Sequence, residues 1–234
     1  MLEAVIFDVD GTLSDTERHG HRPSFNAAFA AHGLDFAWNA DEYGELLKIT
    51  GGRRRIAHDL RARGIADMSG QLAADIHRTK TELFCRRVIE GELAPRPGVR
   101  ELITDLHTSG IRIAIATTGN RRWVQPLVHQ LVGERIVQTF VTGDDVIRLK
   151  PDPEVYLRAL DELQLGPENA LAIEDSAVGL RAARAAGLAT VIVTNDYTAD
   201  QDFSGAAVVL TGYDTPPPLR AYRCRQIHQH WWAS

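Results

Sequence analysis

The sequence contains few cysteines and no long hydrophobic run. Cys85 and Cys224 are the only two cysteines in 234 residues, and their spacing fits neither a metal motif nor a disulfide framework. This usage is typical of a protein in a reducing cytoplasm. No run of about 18 apolar residues is present, which excludes a transmembrane helix. The N-terminus lacks basic residues, so we expect Ala4–Phe7 to be the first strand and not part of a signal peptide.

Strong positive charge is also missing. The formal net charge is −5, and no basic block of the kind that binds nucleic acid occurs. Arginines stand together at Arg53–Arg55 and at Arg121–Arg122. Such short runs either face solvent or bind a small anion, and composition leaves both interpretations open. The missing basic block argues against a nucleic-acid partner, and the missing apolar run argues against a membrane. The partner that we expect is a small molecule, and the expected protein is a monomer.

Short apolar segments alternate with helix-length amphipathic segments along most of the chain. The predicted strands are Ala4–Phe7, Ile111–Ala116, Ala170–Ile173, Ala189–Val193 and a weaker Ala206–Leu210. The predicted helices between them are Val99–Thr108, Arg122–Leu131, Asp152–Leu163 and Val178–Ala186. This alternation predicts an α/β fold with a doubly wound parallel sheet. The functional site of such a sheet lies at the carboxyl ends of its strands.

Residues 16–93 break this alternation, because they contain several helical segments and no convincing strand. The sheet pattern resumes after the turn at 95–98. We therefore predict a catalytic core formed by residues 1–15 and 94–212, with residues 16–93 inserted as a small helical cap domain. Residues 213–234 are expected to be a C-terminal tail, since the prolines at 216–218 end the core pattern.

The hexapeptide Asp8-Val9-Asp10-Gly11-Thr12-Leu13 follows the first predicted strand. Two carboxylates so close together raise each other's pKa unless a cation neutralises them. The pair therefore predicts either a shared proton or a hard metal ion with oxygen ligands. Gly11 permits a sharp turn, and the Thr12 hydroxyl can hold a carboxylate in place. A lone Asp-Gly would more often be a surface turn.

A second acidic pair, Glu174-Asp175, follows the predicted strand Ala170–Ile173. Parallel strands end at one edge of the sheet, so we expect this pair to lie beside Asp8 and Asp10. Four acids at one edge would repel each other strongly unless Mg²⁺ bound between them. The alternative is a helix cap, in which Ser176 starts the next helix.

Two other segments could bind an anion. Thr117 and Thr118 end the strand Ile111–Ala116, and Gly119-Asn120 opens the following helix. Hydroxyl groups and free backbone N–H groups at a helix start are suitable phosphate ligands. Lys150 precedes a proline turn and could neutralise a phosphoryl group and an attacking carboxylate. Each signal is weak by itself.

Together these segments occur in the order of the four motifs of the haloacid-dehalogenase superfamily, and the chain resembles that family from Leu2 to about Leu210. The resemblance implies that Asp8 is a nucleophile that forms an aspartyl-phosphate. It implies that Asp10 protonates the leaving oxygen and then activates water. Thr117 and Lys150 would hold the phosphoryl oxygens.

The resemblance also implies a magnesium site. Asp8, the carbonyl oxygen of Asp10 and Asp175 would bind Mg²⁺, with Glu174 beside them. Dehalogenases of this superfamily lack the second aspartate of the first motif. The presence of Asp10 therefore favours phosphoryl transfer.

A helical cap after the first motif resembles the phosphoglucomutase-like group, whose members act on small molecules. Within it the chain is similar to the CbbY proteins, phosphatases associated with carbon fixation in the Calvin cycle. The matching cap segments are Asp15-Thr16-Glu17, His21-Arg22, Phe25-Asn26, Thr50-Gly51-Gly52 and His77-Arg78-x-Lys80-Thr81-Glu82. This similarity implies xylulose 1,5-bisphosphate as the sugar phosphate substrate. The chain departs from the CbbY pattern at Pro23, Arg54 and Gly119-Asn120.

The substrate-binding residues implied by this resemblance are Glu17, His21, Thr50, Gly51, Gly52, Arg53, Arg55, Lys80 and Thr118. A bisphosphate needs a second cationic contact, and Arg53, Arg55 and Lys80 could supply it. Glu17 could bind sugar hydroxyl groups. His21 either does the same or packs inside the cap, and Arg54 is expected to face solvent.

Two other functions fit part of the pattern. A sugar phosphomutase of the β-phosphoglucomutase type has the same catalytic set and differs only in what attacks the aspartyl-phosphate. A non-catalytic phospho-receiver also gathers acids around Mg²⁺ on a parallel sheet. However, it lacks both the Asp-x-Asp-Gly-Thr motif and a helical cap.

Overall fold

The computed structural model describes residues 1–49 and 51–233. The chain divides into two compact units. One unit, called the core unit here, combines Met1–Asp15 with the segment that begins at Ala94. The other, called the helical unit, is Thr16–Leu93.

The core unit contains a six-stranded sheet in the order β3-β2-β1-β4-β5-β6, in which all paired strands are parallel. The strands are β1 Ala4–Phe7, β2 Arg112–Ala116, β3 Thr139–Val141, β4 Ala170–Glu174, β5 Ala189–Val193 and β6 Val208–Leu210. Every residue of β1, β4 and β5 is buried. Strands covered on both faces read as continuous apolar runs, which is why the sequence predicted them. The predicted α/β fold with a parallel sheet is confirmed.

The helical unit starts with a π-helical turn at Glu17–His21. Its α-helices are α1 Arg22–Ala31, α2 Ala40–Leu47, α3 Gly52–Ala62 and α4 Gln71–Ile89. Buried aromatic side chains form much of its interior, among them Phe25, Phe29, Trp38 and Tyr43. The Trp38 indole N–H donates to Asp59 Oδ2 at 2.7 Å, so the polar edge of this large ring is satisfied inside the unit.

The core unit also contains the helices α5 Val99–Thr108, α6 Arg121–Val132, α7 Glu154–Leu163, α8 Ala177–Ala185 and α9 Ala221–Ala233. Helix α9 lies in the segment predicted to be a C-terminal tail. The backbone N–H of Ala221 donates to Asp105 Oδ2 of α5 at 2.7 Å, and Cys224 is fully buried. Across the described residues, no helix combines the length and the apolar composition needed to cross a bilayer.

The sheet register brings three strand ends to one level. Phe7 of β1 pairs with Ile115 of β2 on one side and with Ile173 of β4 on the other. The next residues along these strands, among them Asp8 and Glu174, are therefore neighbours at the carboxyl edge of the sheet.

Candidate active site

Three carboxylates meet at this edge. Asp8 follows β1, Glu174 ends β4, and Asp175 comes next. One carboxylate oxygen of each lies within 4.8 Å of the others. All three residues are buried, with exposed fractions of 7%, 1% and 6% respectively. The expectation that the Glu174-Asp175 pair lies beside Asp8 is therefore confirmed, whereas Asp10 is not one of the three clustered carboxylates.

Lys150 joins the ends of three adjacent strands. Its Nζ donates to Asp8 Oδ1 at 2.7 Å, to the Ala116 carbonyl oxygen at 2.8 Å and to Glu174 Oε1 at 2.6 Å. Burial works against its positive charge, but the Asp8 and Glu174 carboxylates raise the Lys150 pKa well above its ordinary value. The ammonium group therefore stays charged and offsets part of the acidic cluster.

One lysine does not neutralise three buried carboxylates. Burial, together with the charges of Glu174 and Asp10, raises the pKa of Asp8 to about 8 in spite of Lys150. Burial and the neighbouring charges of Glu174 and Asp8 also raise the Asp175 pKa well above its ordinary value. Such a cluster favours a bound cation, and buried carboxylate oxygens are the ligands that Mg²⁺ prefers. The residues present fit a magnesium ion.

Glu174 is held by several hydrogen bonds. The Tyr156 hydroxyl donates to its Oε1 at 2.8 Å, and the Asp175 N–H donates to its Oε2 at 3.1 Å. The Ser176 hydroxyl donates to Oε2 at 3.3 Å and accepts from the Gly179 N–H at 3.1 Å, so Ser176 caps α8 as the alternative interpretation expected. A β-carbon on Gly179 would lie 1.9 Å from this carboxyl group, so glycine is needed there.

The loop after β1 carries Asp10, which is half-buried. Gly11 has a φ of +77°, a conformation that glycine adopts readily. The Thr12 hydroxyl donates to Asp175 Oδ1 at 3.4 Å, which agrees with its expected role of holding a carboxylate. Asn195, just after β5, donates to Asp175 Oδ2 at 2.7 Å.

Thr117 and Thr118 differ in their surroundings. Thr117 is fully buried, and its hydroxyl oxygen accepts a hydrogen bond from the Gly119 N–H at 3.1 Å. Thr118 is exposed. Thr117 follows Ala116, whose carbonyl oxygen binds Lys150, so its backbone lies beside the acidic cluster. Helix α6 is capped by Asn120, whose side chain accepts from the Arg122 N–H at 3.0 Å.

Inside the helical unit, predicted substrate-binding residues contact each other or aromatic residues. Lys80 Nζ lies 2.8 Å from His21 Nδ1, and both residues are buried. The ammonium group also lies 4.7 Å from the centre of the Phe25 ring, a cation–π distance. Glu17 accepts a hydrogen bond from the Tyr43 hydroxyl.

The predicted arginines are placed differently from one another. Arg55 is buried and donates to the Leu46 carbonyl oxygen at 2.8 Å and to the Tyr43 hydroxyl at 3.2 Å. These bonds tie its guanidinium group to the unit's own framework. Arg53 is exposed, with a bond to the Gly70 carbonyl oxygen at 3.3 Å, and Arg54 is exposed as expected.

Of the predicted glycine loop, Gly51 is the N-cap of α3 and Gly52 is the first residue of that helix. Gly51 has a φ of +93°, and a β-carbon on Gly52 would lie 2.8 Å from the His77 ring. Thr50 falls outside the described residues. Burial, together with the charges of Lys80 and Arg53, lowers the pKa of His77, which indicates a concentration of positive charge in this unit.

Four residues near the acidic cluster were not predicted: Tyr156, Asn195, Arg96 and Tyr213. Asn195 follows the end of β5 and could have been found from the rule that strand ends share one edge. Tyr156 lies six residues after Lys150, on the buried side of α7. Nothing in the sequence indicated Arg96 or Tyr213, which come from segments distant in the chain.

Comparisons with known proteins agree with this geometry. The profile of the haloacid dehalogenase-like hydrolase family matches residues 2–187. Protein CbbY of Cereibacter sphaeroides is 45% identical over 216 residues, which cover 91% of this chain and 93% of that protein. A phosphorylated carbohydrates phosphatase of Thermotoga maritima is 32% identical over 189 residues, which cover 80% of this chain and 82% of that protein.

A solved structure is similar over nearly the whole chain. It is a crystal structure of a CbbY mutant from Rhodobacter sphaeroides in complex with xylulose-(1,5)bisphosphate, 43% identical, with a TM-score of 0.80. The likeness covers 94% of this chain and 98% of that one. Since the matched residues 2–187 include four of the six strands, Lys150 and both acidic motifs, the chain belongs to the haloacid dehalogenase-like hydrolase family.

Proposed function

We propose that this hydrolase is a Mg²⁺-dependent sugar phosphatase that converts xylulose 1,5-bisphosphate to xylulose 5-phosphate through an aspartyl-phosphate at Asp8. That the chain is an enzyme, and a phosphatase, rests on its family and on its phosphatase relatives. The observation that carries the mechanism is the buried cluster of Asp8, Glu174 and Asp175, in which Asp8 and Glu174 accept hydrogen bonds from Lys150.

Asp8 is the nucleophile in this proposal. One of its carboxylate oxygens attacks the phosphorus, and the bond between phosphorus and the sugar oxygen breaks. Asp10 gives its proton to that sugar oxygen, then accepts a proton from the water that attacks the phosphorus and frees Asp8. Inorganic phosphate and the dephosphorylated sugar position are the products.

Lys150 contributes electrostatics. Its ammonium group lies 2.7 Å from Asp8 Oδ1, so it orients the carboxylate and offsets the charge that accumulates on the phosphoryl group. Glu174 and Tyr156 also bind the ammonium group. We propose that Thr117 binds a phosphoryl oxygen, because it lies next to Ala116 in the chain and because the family resemblance implies this role.

Magnesium would be held by Asp8, Asp175 and the carbonyl oxygen of Asp10. Glu174 is less suited to bind the ion directly, because its oxygens already accept hydrogen bonds from Lys150 and Tyr156. They also accept from the Asp175 N–H and the Ser176 hydroxyl. When bound, the ion neutralises the carboxylates and the phosphoryl oxygens.

The substrate assignment rests on the relatives and on the helical unit. A CbbY structure contains xylulose-(1,5)bisphosphate, and the positive charge that a sugar bisphosphate requires is available here from Lys80 and Arg53. We propose that Lys80 with His21 binds the phosphate that is not cleaved, and that Glu17 binds sugar hydroxyl groups. Thr50, Gly51, Gly52 and Thr118 keep the substrate contacts that the resemblance implies.

Arg55 fits this set less well. Its guanidinium group is engaged by two backbone carbonyl oxygens and by the Tyr43 hydroxyl, which itself donates to Glu17. We therefore assign Arg55 to the orientation of Tyr43 and Glu17, and leave direct phosphate contact to Lys80 and Arg53.

The test is a phosphate-release panel with pentose and hexose bisphosphates and monophosphates, with Mg²⁺ and with a chelator. We expect the highest kcat/KM for xylulose 1,5-bisphosphate and no turnover with the chelator. A sugar phosphomutase would instead convert β-glucose 1-phosphate, given a trace of glucose 1,6-bisphosphate, to glucose 6-phosphate without releasing phosphate. If none of the sugar phosphates in the panel released phosphate, the proposal would be contradicted.

The cellular setting that we propose is a reducing cytoplasm. Cys85 and Cys224 are both buried and unbridged, which agrees with a reducing cytoplasm. A monomer that acts in the Calvin cycle is the simplest form of the proposal, and gel filtration with light scattering measures its oligomeric state.

A further inference from the structure

Arg96 is a buried arginine outside the catalytic set. Its exposed fraction is 8%, and a buried guanidinium group must be compensated by hydrogen bonds or by opposite charge. Here most of the compensation comes from backbone carbonyl groups. The two terminal nitrogens donate to the carbonyl oxygens of Gly11 at 2.6 Å, Val193 at 2.9 Å and Thr194 at 2.5 Å.

Two of these acceptors lie at the end of β5, and the third belongs to the loop that carries Asp10. Arg96 therefore fastens the end of β5 to the loop after β1. Its Nε also lies 3.5 Å from Asp15 Oδ1, which adds one carboxylate charge at the edge of this arrangement. Carbonyl groups that accept from a cation form stronger bonds than those that accept from a neutral group.

Tyr213 completes the arrangement. The guanidinium carbon of Arg96 lies 5.5 Å from the centre of the Tyr213 ring. The Tyr213 hydroxyl donates to the Thr12 carbonyl oxygen at 3.0 Å. Two successive carbonyl groups of the loop, those of Gly11 and Thr12, are thus fixed by two side chains that contact each other.

The backbone around Arg96 fixes the following residues. Its own N–H donates to the Leu13 carbonyl oxygen at 2.9 Å, and the Ser14 hydroxyl donates to the Ala94 carbonyl oxygen at 2.7 Å. Positions 11 to 14 are therefore all tied to residues 94–96 or to Tyr213. None of these bonds uses the carboxyl group of Asp8 or Asp10.

We infer that Arg96 is a positioning residue for phosphoryl transfer, whose guanidinium group fixes the peptide planes that hold Asp10 and the Gly11–Thr12 turn in place. This inference rests on the proposed phosphatase function, and Arg96 itself touches no reacting atom. Lysine keeps the charge but cannot donate to three carbonyl groups in a planar fork. Arg96→Lys should therefore lower kcat by about 10- to 100-fold, the usual effect of small misplacement, with KM changed by less than about 2-fold.

The matched control is Arg112→Lys. Arg112 also donates to a backbone carbonyl oxygen, that of Leu163 at 3.0 Å, but it lies at the opposite end of the sheet, at the start of β2. This variant should keep the wild-type kcat. Tyr213→Phe, which removes only the bond to Thr12, should give a smaller loss than Arg96→Lys. Circular dichroism and thermal melting establish that each variant is folded at the assay temperature.

Hydrogen–deuterium exchange supplies a readout that does not depend on turnover. Amide exchange in the peptide spanning residues 9–14 should be faster in Arg96→Lys than in wild type, and unchanged in Arg112→Lys. Unchanged exchange in this peptide, or a wild-type kcat, overturns the role of Arg96. A wild-type protein that hydrolyses no sugar phosphate contradicts the proposed function instead, and the exchange experiment then decides by itself whether Arg96 holds the loop.

Discussion

Gly11 and Asp175 approach each other so closely that a β-carbon on Gly11 would lie 2.3 Å from Asp175 Oδ2. The contact joins the loop after β1 to the acid that follows β4. Asn195 holds both partners, since its side-chain amide group donates to Asp175 Oδ2 at 2.7 Å and to the Gly11 carbonyl oxygen at 3.3 Å. The absence of a side chain at position 11 is therefore a condition for the acidic cluster.

Gly11→Ala should displace Asp175 and strain the loop. We expect kcat/KM to fall by at least about 10-fold, because small displacements of reacting groups are costly. The positive φ should add a loss of stability of about 1–2 kcal/mol. The control is Gly110→Ala, since Gly110 has a φ of +72° and a β-carbon there would meet nothing within 4 Å. Steady-state kinetics and chemical denaturation measure the two effects; equal activity in both variants would show that the contact is unimportant.

Asp8→Asn should abolish turnover and leave the fold intact. The variant removes the proposed nucleophile and also one charge from a crowded acidic cluster, so its thermal stability should equal or exceed that of wild type without Mg²⁺. Phosphate release and thermal melting provide the measurements. Asp10→Asn is the companion variant, with an expected loss of about 100- to 10,000-fold, as for an acid–base group. Substantial activity in Asp8→Asn would refute nucleophilic catalysis at this position.

Stability of the metal-free protein should fall as the pH rises through the range in which the folded cluster keeps its protons. The Asp8 pKa is raised from its ordinary 3.8 to about 8, mainly by burial. Between these values the folded protein holds a proton that the unfolded chain has released, so raising the pH favours unfolding. Above about pH 8 this contribution no longer changes.

Magnesium competes with those protons and should bind more tightly as the pH rises. Its stabilising effect should therefore be larger at about pH 8 than at about pH 5. Thermal melting at both pH values, with a chelator or with excess Mg²⁺, gives the shift in Tm. In Asp8→Asn the difference between the two pH values should shrink. An equal Mg²⁺-induced shift at both pH values would contradict the acidic cluster as the binding site.

Lys80→Ala should raise KM for a sugar bisphosphate with little effect on a monophosphate. Lys80 is buried beside His21 and two aromatic rings, so its charge is poorly screened by water and strongly felt by an anion. Lys48→Ala is the control, because Lys48 belongs to the same unit but its side chain is 71% exposed and paired with Glu45. Kinetics with both substrate classes test this. An equal loss on both classes would mean that Lys80 does not bind the second phosphate.

The sequence predicted those parts of the fold whose pattern is local. Strands β1, β2, β4 and β5 are short, largely apolar runs that are buried along most of their length. Such runs can be recognised as buried strands from the sequence. Strand β3 was missed because it has only three residues, one of them partly exposed, and shows no distinct period. Helix α9 was missed because its arginines, histidines and tryptophans give no clear apolar face.

The residues of the candidate site also fall into two groups: those that a local motif predicts and those that it does not. Asp8, Lys150 and Glu174 belong to motifs that are recognisable along the chain, and the strand register brings them together. Arg96 and Tyr213 contact the loop through pairings across 85 and 201 residues respectively, and no local pattern encodes such contacts. Arg55 is a different case. The motif predicts that it binds the substrate, whereas its guanidinium group donates to the Leu46 carbonyl oxygen and to the Tyr43 hydroxyl.

The bond between the Ser14 hydroxyl and the Ala94 carbonyl oxygen closes the gap at which residues 16–93 leave and re-enter the core unit. The two ends of the insertion are one hydrogen bond apart. For the sheet, the insertion is therefore equivalent to a loop whose ends are held at a fixed distance. An exchange of this insertion for one of different length or chemistry would leave the strand order untouched. If this insertion binds the sugar as proposed, exchanging it would change substrate preference while the acidic cluster and its chemistry stay the same.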